Sequence, residues 1–343
     1  MRDISELLRP NITRLLSNEG EGKLDERGNG VLLDANENPY NVPQNRYPDA
    51  SLYELKAFVS KIWDVGVQNI FVGNGTDETI DVIYKCFVRP GIDNVVAISP
   101  TYRRYFDYAV VNDAEYRKVE LDGDFQVTAA KILAECDSNT KVVWLCSPNN
   151  PTGNSLRKAE MLNLLSSFGG IVVVDEAYIR FSREKSMRAE LDVNENLIVL
   201  DTLSTAWGCA SARIGLAFAS ARFANVLNKV RSPYNISMPA QKAAVEVLGD
   251  VYEADKRIKT ILLERDRLED AFRLLPYCRK VYHSDANFLL VAFENAQDVY
   301  TYLKQKGIFV CDQTSVQGCS YSLRITVGTK SENNKLLSAL RQY

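Results

Sequence analysis

Val172-Val173-Val174-Asp175-Glu176-Ala177-Tyr178 reads as a strand that ends on a carboxylate. Three β-branched residues in a row, preceded by Ile171, leave no polar face, the pattern of a strand covered on both sides in a parallel sheet. Runs of the same kind lie on either side of it in the chain: Asn69 to Val72, Asn94 to Ser99, Lys141 to Cys146, Leu197 to Leu200 and Ile214 to Ala219. Helical patterns separate several of them, one carrying Ile80, Val82, Ile83 and Phe87 and another spanning Ala159 to Phe168. This alternation predicts an α/β fold, a largely parallel sheet with helices on both faces. Ligands in such folds sit outside the carboxyl ends of the strands. A carboxylate delivered there by Asp175 either caps the next helix or grips a cation or a protonated ring nitrogen.

The last hundred residues follow another pattern. Val251 to Leu275 is a long, charged amphipathic helix, followed by a strand-like Asn287 to Phe293, a helical Ala296 to Lys306, a strand-like Ser322 to Val327 and a last helix from Ser331 to Arg341. That order predicts a smaller α+β domain. The 343 residues therefore divide into a large α/β/α domain at 45–245 and a small domain at 246–343 that also receives the N-terminal arm, 1–44. The loop-rich stretch before Arg46 is expected to pack on the small domain.

Composition excludes several classes of function. Hydrophobic residues make up 46% and charged residues 25%, and 41 basic against 44 acidic side chains leave a net charge of -3, without the basic excess of a general nucleic-acid binder. No apolar run has the length of a membrane span, and Met1 to Glu6 lacks the apolar segment of a signal peptide. The single histidine, His283, rules out a multi-histidine metal site, and no metal is expected. Seven cysteines, at 86, 136, 146, 209, 278, 311 and 319, show no CxxC spacing, which points to free thiols in a reducing, cytoplasmic compartment.

Four more stretches stand at places where chemistry is expected. Gly73-Asn74-Gly75-Thr76-Asp77-Glu78 joins a strand to a helix. It reads either as a turn capped by Thr76 or Asp77 or as an anion site made of free backbone N–H groups. Ser147-Pro148-Asn149-Asn150-Pro151-Thr152-Gly153 is a stiff loop after a strand, able to aim an amide side chain. Thr202 to Gly208, with Arg213 beyond it, offers Ser204 and Arg213 to a phosphate, or is a polar turn beside a surface arginine. Leu323-Arg324-Ile325 places a guanidinium within a strand, where it needs an internal carboxylate or a carboxylate ligand.

Together, in this order, these strings resemble the fold-type I aminotransferases that use pyridoxal 5'-phosphate (PLP), and within them the histidinol-phosphate aminotransferase family. Asp34-Ala35-Asn36-Glu37-Asn38-Pro39, Asn45-Arg46-Tyr47-Pro48 and Pro100-Thr101-Tyr102 extend the resemblance over nearly the whole chain. It implies amino transfer between histidinol phosphate and 2-oxoglutarate in histidine biosynthesis. It also implies site roles. Asp175 would keep the pyridine nitrogen protonated. Asn150 and Tyr178 would bond the ring hydroxyl oxygen, and Tyr102 would stack on the ring. Gly75, Thr76, Asp77, Ser204 and Arg213 would hold the phosphate. Tyr47 would reach the phosphate of a neighbouring subunit, in a homodimer with shared active sites. Arg324 and Asn38 would bind the substrate, a small amino donor or 2-oxo acid.

The chain departs from the pattern in four places. The family reads Ser-Lys-Ala where this chain reads Ser204-Thr205-Ala206, so Thr205 stands at the position of the Schiff-base lysine. Threonine has no amine to join the cofactor or carry a proton, and loss of a positioned proton shuttle costs roughly 10²–10⁴-fold in rate. Cys311 precedes Asp312-Gln313 where the family places an arginine for the substrate phosphate, and Leu15-Leu16-Ser17-Asn18-Glu19 lacks the tyrosine and arginine of the family's N-terminal segment. Arg103, beside Tyr102, is a further bulky cation. These departures leave three readings: an impaired histidinol-phosphate aminotransferase, a non-catalytic PLP or amino-acid binder, and a related threonine-phosphate decarboxylase or aromatic aminotransferase.

Overall fold

The computed structural model of the protein describes residues 3–17 and 30–343. Seven strands form the large sheet: β1 (Ile70–Asn74), β2 (Asn94–Ser99), β3 (Glu115–Glu120), β4 (Thr140–Cys146), β5 (Ile171–Asp175), β6 (Leu197–Thr202) and β7 (Ile214–Ala219). Their order in space is β1-β7-β6-β5-β4-β2-β3. β7 runs antiparallel to both of its neighbours, and the remaining pairs are parallel. The sheet is thus mostly parallel, in the α/β class expected.

Side chains alternate across it. Val142 and Trp144 point into one apolar layer, with helices Gly75–Phe87 and Ala221–Val230, and Val143 and Leu145 point into the other, with helices Tyr53–Trp63 and Lys158–Ser167. Every residue of β4, β5, β6 and β7 is buried, which is why their sequences are continuous apolar runs. β3, Glu-Tyr-Arg-Lys-Val-Glu, was not expected: it is the exposed edge strand, and its charged side chains hide the strand pattern while protecting the edge.

The second sheet is antiparallel, β8 (Cys278–Val281), β9 (Phe288–Phe293), β10 (Cys311–Asp312) and β11 (Ser322–Thr326) in the order β10-β11-β9-β8. Helix Val251–Arg273 runs between two apolar cores, one under each sheet. Its Ala254 and Ile258 belong to the large core, whereas Leu268 and Phe272 belong to the small one. The passage from one core to the other therefore lies inside this helix.

The N-terminal arm corrects an expectation. Its described part, 3–17, packs on the large domain and not on the small one. Ile4, Leu7 and Ile12 bury among Phe71, Phe87 and Phe223. The backbone N–H of Arg9 donates to the carbonyl of Cys86 at 2.9 Å. The cause is apolar: the helices on this face of the large sheet leave surface that these three side chains cover. Asn18 and Glu19, two of the residues of the expected substrate-holding segment, lie outside the described residues. No helix among the described residues is long and apolar enough to cross a membrane.

Candidate active site

The carboxyl ends of β1, β2, β4, β5 and β6 converge with the first residue before β7, which runs the other way and so starts where they end. The cavity they enclose is walled by Thr76, Asp77, Tyr102, Asn150, Asp175, Tyr178, Ser204, Thr205 and Arg213, all expected from sequence, and by Cys146, Ala177 and Thr202. Fold topology explains the gathering of residues nearly 140 positions apart.

Asp175 lies at its deep end and is only 2% exposed. Its carboxylate accepts from the phenol of Tyr105 at 2.7 Å and from the backbone N–H of Ala177 at 3.1 Å. Burial pushes its pKa up to about 6, while these two donors pull it down. Among the described residues it has no ion-pair partner within salt-bridge distance. It caps no helix, because its two donors are Tyr105 and Ala177. A buried carboxylate without a cation is an arrangement that a protonated ring nitrogen would complete.

The opposite end is shaped for an anion. Helix Gly75–Phe87 starts here, and its N-cap, Asn74, makes no side-chain cap bond. The expected capping by Thr76 or Asp77 is therefore corrected: both sit in the first helical turn, whose free N–H groups remain available to a ligand. Arg213, at φ +54°, stands 3.8 Å from Asp77. Gly75 has φ +76°, and a Cβ there would strike the Arg213 guanidinium. A Cβ on Gly215 would strike the carbonyl carbon of Gly75 and come within 2.5 Å of the Thr76 nitrogen. Both glycines are needed for this close approach. Ser204 faces the same end, and its backbone N–H and hydroxyl lie 3.1 Å from the hydroxyl of Thr202.

The walls between the two ends are aromatic and amide. Tyr102 donates to Asp77 at 3.1 Å and meets Tyr105 edge to face, with ring centroids 5.6 Å apart. Burial raises the pKa of both Tyr102 and Tyr178, so each stays a protonated hydrogen-bond donor. The Asn150 amide donates to the Tyr178 hydroxyl at 3.2 Å. Arg324, from β11, donates to the Asn150 side-chain oxygen and makes no ion pair among the described residues. Of the two readings of this arginine, the internal salt bridge is therefore absent, and its guanidinium remains open to a carboxylate ligand.

Thr205 faces the cavity, and its hydroxyl donates to the carbonyl of Ala177 at 2.5 Å. No lysine lines the cavity among the described residues, and Lys185 is exposed.

Other residues stay apart from it. Tyr47 stacks on Tyr234, centroids 4.6 Å apart, and lines a separate groove with Asn38, whose side chain accepts from the backbone N–H of Tyr40. Neither reaches the cavity of its own chain. Arg103 points to solvent and pairs with Asp107 at 3.2 Å. Cys311 sits opposite Arg324 in the β10–β11 register. Sequence reasoning missed Tyr105. Its sequence signal is weak: Tyr102 precedes helix Arg104–Val111 and Tyr105 lies within it, and nothing beside Tyr105 marks Asp175 as its partner.

A sequence profile described as aminotransferase class I and II matches residues 31–340. The chain is 48% identical to the histidinol-phosphate aminotransferase of Bacteroides fragilis (strain YCH46), over 100% of both chains. Among solved structures it is similar to the histidinol-phosphate aminotransferase from Clostridium acetobutylicum, with 22% identity, TM-score 0.80, and 87% of this chain and 90% of that one covered. It is also similar to the histidinol-phosphate aminotransferase from Sinorhizobium meliloti in complex with pyridoxal-5'-phosphate, with 20% identity, TM-score 0.80, and 97% and 87% covered.

Proposed function

Because the chain belongs to the aminotransferase class I and II family, we propose that it is a PLP-dependent aminotransferase of the histidinol-phosphate type whose turnover is held low by Thr205. The donor set fits the cofactor. An unpaired buried carboxylate lies at one end of the cavity, and a helix start with Arg213 and Ser204 lies at the other. Two glycines let the backbone close around that end. When bound, the pyridine ring supplies an electron sink for the carbon bearing the amino group.

The chain's own residues would act as follows. Asp175 holds the ring nitrogen protonated. The N–H groups of the first helical turn, with Ser204 and Arg213, take the phosphate. Tyr178 and Asn150 orient the ring hydroxyl, and Tyr102 covers one face. Arg324 turns from Asn150 to a substrate carboxylate. Thr205 can do neither task of an amine, to tether the cofactor or to carry the proton. The histidinol-phosphate donor is supported by 48% identity over the full length of the Bacteroides fragilis protein. Tyr47 and Asn38 line a groove away from the cavity, and Tyr40 and Val42 in the same segment are exposed, which supports a homodimer in which Tyr47 serves the neighbouring site. Seven unpaired cysteines support a reducing cytoplasm.

The observation that carries the reading is the placement of Asp175, Arg213 and Thr205 around one cavity. Borohydride treatment of the PLP-loaded protein should fix no cofactor at the site, and Thr205→Lys should yield turnover of histidinol phosphate with 2-oxoglutarate. A second reading, a non-catalytic binder, is favoured by the lack of any lysine in the cavity wall among the described residues. It gains if the lysine variant stays inert across phosphorylated and aromatic donors. Turnover of threonine phosphate or aromatic donors alone would assign the related activities instead.

A further inference from the structure

We infer that this cavity selects the aminated form of the cofactor, pyridoxamine 5'-phosphate, over the aldehyde form. The inference rests on the proposed reading of the cavity as a cofactor site. It follows from what Thr205 offers to a ligand. A hydroxyl has one hydrogen, and that of Thr205 is committed to the Ala177 carbonyl at 2.5 Å. What remains towards the cavity is its lone pairs, so the side chain acts there as an acceptor. An ammonium group presents three donors and matches it. An aldehyde oxygen is itself an acceptor, finds lone pairs opposite, and gains nothing in return for the water it gives up.

Charge points the same way. Among the described residues the cavity wall carries two carboxylates, Asp77 and Asp175, against one cation, Arg213, with Asp77 shared between Arg213 at 3.8 Å and Arg104, outside the wall, at 3.9 Å. A bound phosphate adds anionic charge at the Arg213 end. An ammonium on the ligand restores part of the balance where the wall has no amine of its own. The aldehyde's usual gain, condensation with a neighbouring amine, is unavailable because no lysine lines the cavity among the described residues.

The test is calorimetric titration of the full-length chain, stripped of cofactor, with three ligands separately: pyridoxamine 5'-phosphate, PLP and 4'-deoxypyridoxine 5'-phosphate, which keeps ring and phosphate but has neither amine nor aldehyde. Pyridoxamine 5'-phosphate should bind at least about tenfold more tightly than either other ligand, a difference of ~1.4 kcal/mol. Thr205→Val, which keeps the shape and removes the acceptor, should bring the three affinities together, and Thr205→Ser should keep the preference. PLP binding as tightly as the amine, or a preference untouched in Thr205→Val, overturns the inference alone. Failure of all three ligands to bind overturns the underlying assignment of the cavity as well.

Discussion

The phenol of Tyr105 donates to the Asp175 carboxylate at 2.7 Å from a position with no solvent exposure, its ring stacked on Trp144 at 4.9 Å. This contact opposes the burial that pushes Asp175 up to about 6. Tyr105→Phe keeps the stack and removes the donor. A hydrogen bond to a charged group contributes about 1.5–3 kcal/mol, so the Asp175 pKa should rise by roughly one to two units. A carbon NMR titration of labelled aspartate carboxyls reads this directly, and an unmoved Asp175 titration would remove Tyr105 from its positioning role.

Stability should fall as pH rises through the weakly acid range. Burial raises Asp175 to about 6 and Glu176 to about 7, above their ordinary values of 3.8 and 4.5. For an acid whose folded pKa is raised, the unfolded chain loses its proton first. The stabilisation is thus complete below about pH 4 and is lost as pH climbs through 6 and 7. Two units correspond to about 3 kcal/mol for each group. Urea unfolding of the cofactor-free protein at pH 5 and pH 7.5 should show this decline. Asp175→Asn should shrink it by about 1–3 kcal/mol, and an identical slope in that variant would contradict the assignment.

The sheet was legible because burial on both faces turns its central strands into unbroken apolar runs such as Lys-Val-Val-Trp-Leu-Cys at 141–146. β3 was not, since an edge strand faces water and reads as charge. Site residues announced themselves when a strand ended on them, as Asp175 does, or a glycine pair preceded them, as for Thr76. Tyr105 acts through Asp175 from inside a helix, and its sequence neighbours give no hint of that partner. The packing of the arm was misread for a related reason. Ile4, Leu7 and Ile12 show that a surface is covered, and only the folded chain shows which one.

Gly215→Ala should damage the anion end specifically. The added methyl would sit 2.5 Å from the Thr76 nitrogen and on the Gly75 carbonyl carbon, where only backbone could yield. Overpacking of this kind costs about 1–3 kcal/mol. The first helical turn would shift, and affinity for inorganic phosphate or a phosphorylated ligand should drop together with the unfolding midpoint. Normal phosphate affinity in a normally stable variant would mean that the approach of these two backbones is not what shapes the cavity.

Leu7→Ala tests the arm. Leu7 is 1% exposed against the outer helices of the large sheet. Truncating a buried leucine costs about 2–5 kcal/mol when the site cannot collapse. The arm can detach instead of leaving a cavity, so the loss should fall at the low end, near 2 kcal/mol, and hydrogen exchange should quicken in residues 4–17 and in helix Ala221–Val230. Faster exchange confined to the small domain would contradict the packing described.

Arg324 offers the most direct probe of substrate recognition. In the present structure its guanidinium rests on the Asn150 side-chain oxygen and lies over the Phe288 ring at 5.5 Å, without a carboxylate partner among the described residues. A substrate carboxylate would replace one neutral amide oxygen with two charged oxygens that match the guanidinium fork. Lysine keeps the charge and loses the fork, so Arg324→Lys separates geometry from electrostatics. In the Thr205→Lys background, where turnover can be followed, Arg324→Lys should raise KM for 2-oxoglutarate about tenfold or more, ~1.4 kcal/mol, with a smaller change in kcat. Asn150→Ala should act differently. It frees the arginine but also removes the amide that holds Tyr178, so kcat should fall more than KM rises. Equal KM values for Arg324→Lys and its parent would place carboxylate recognition on another residue.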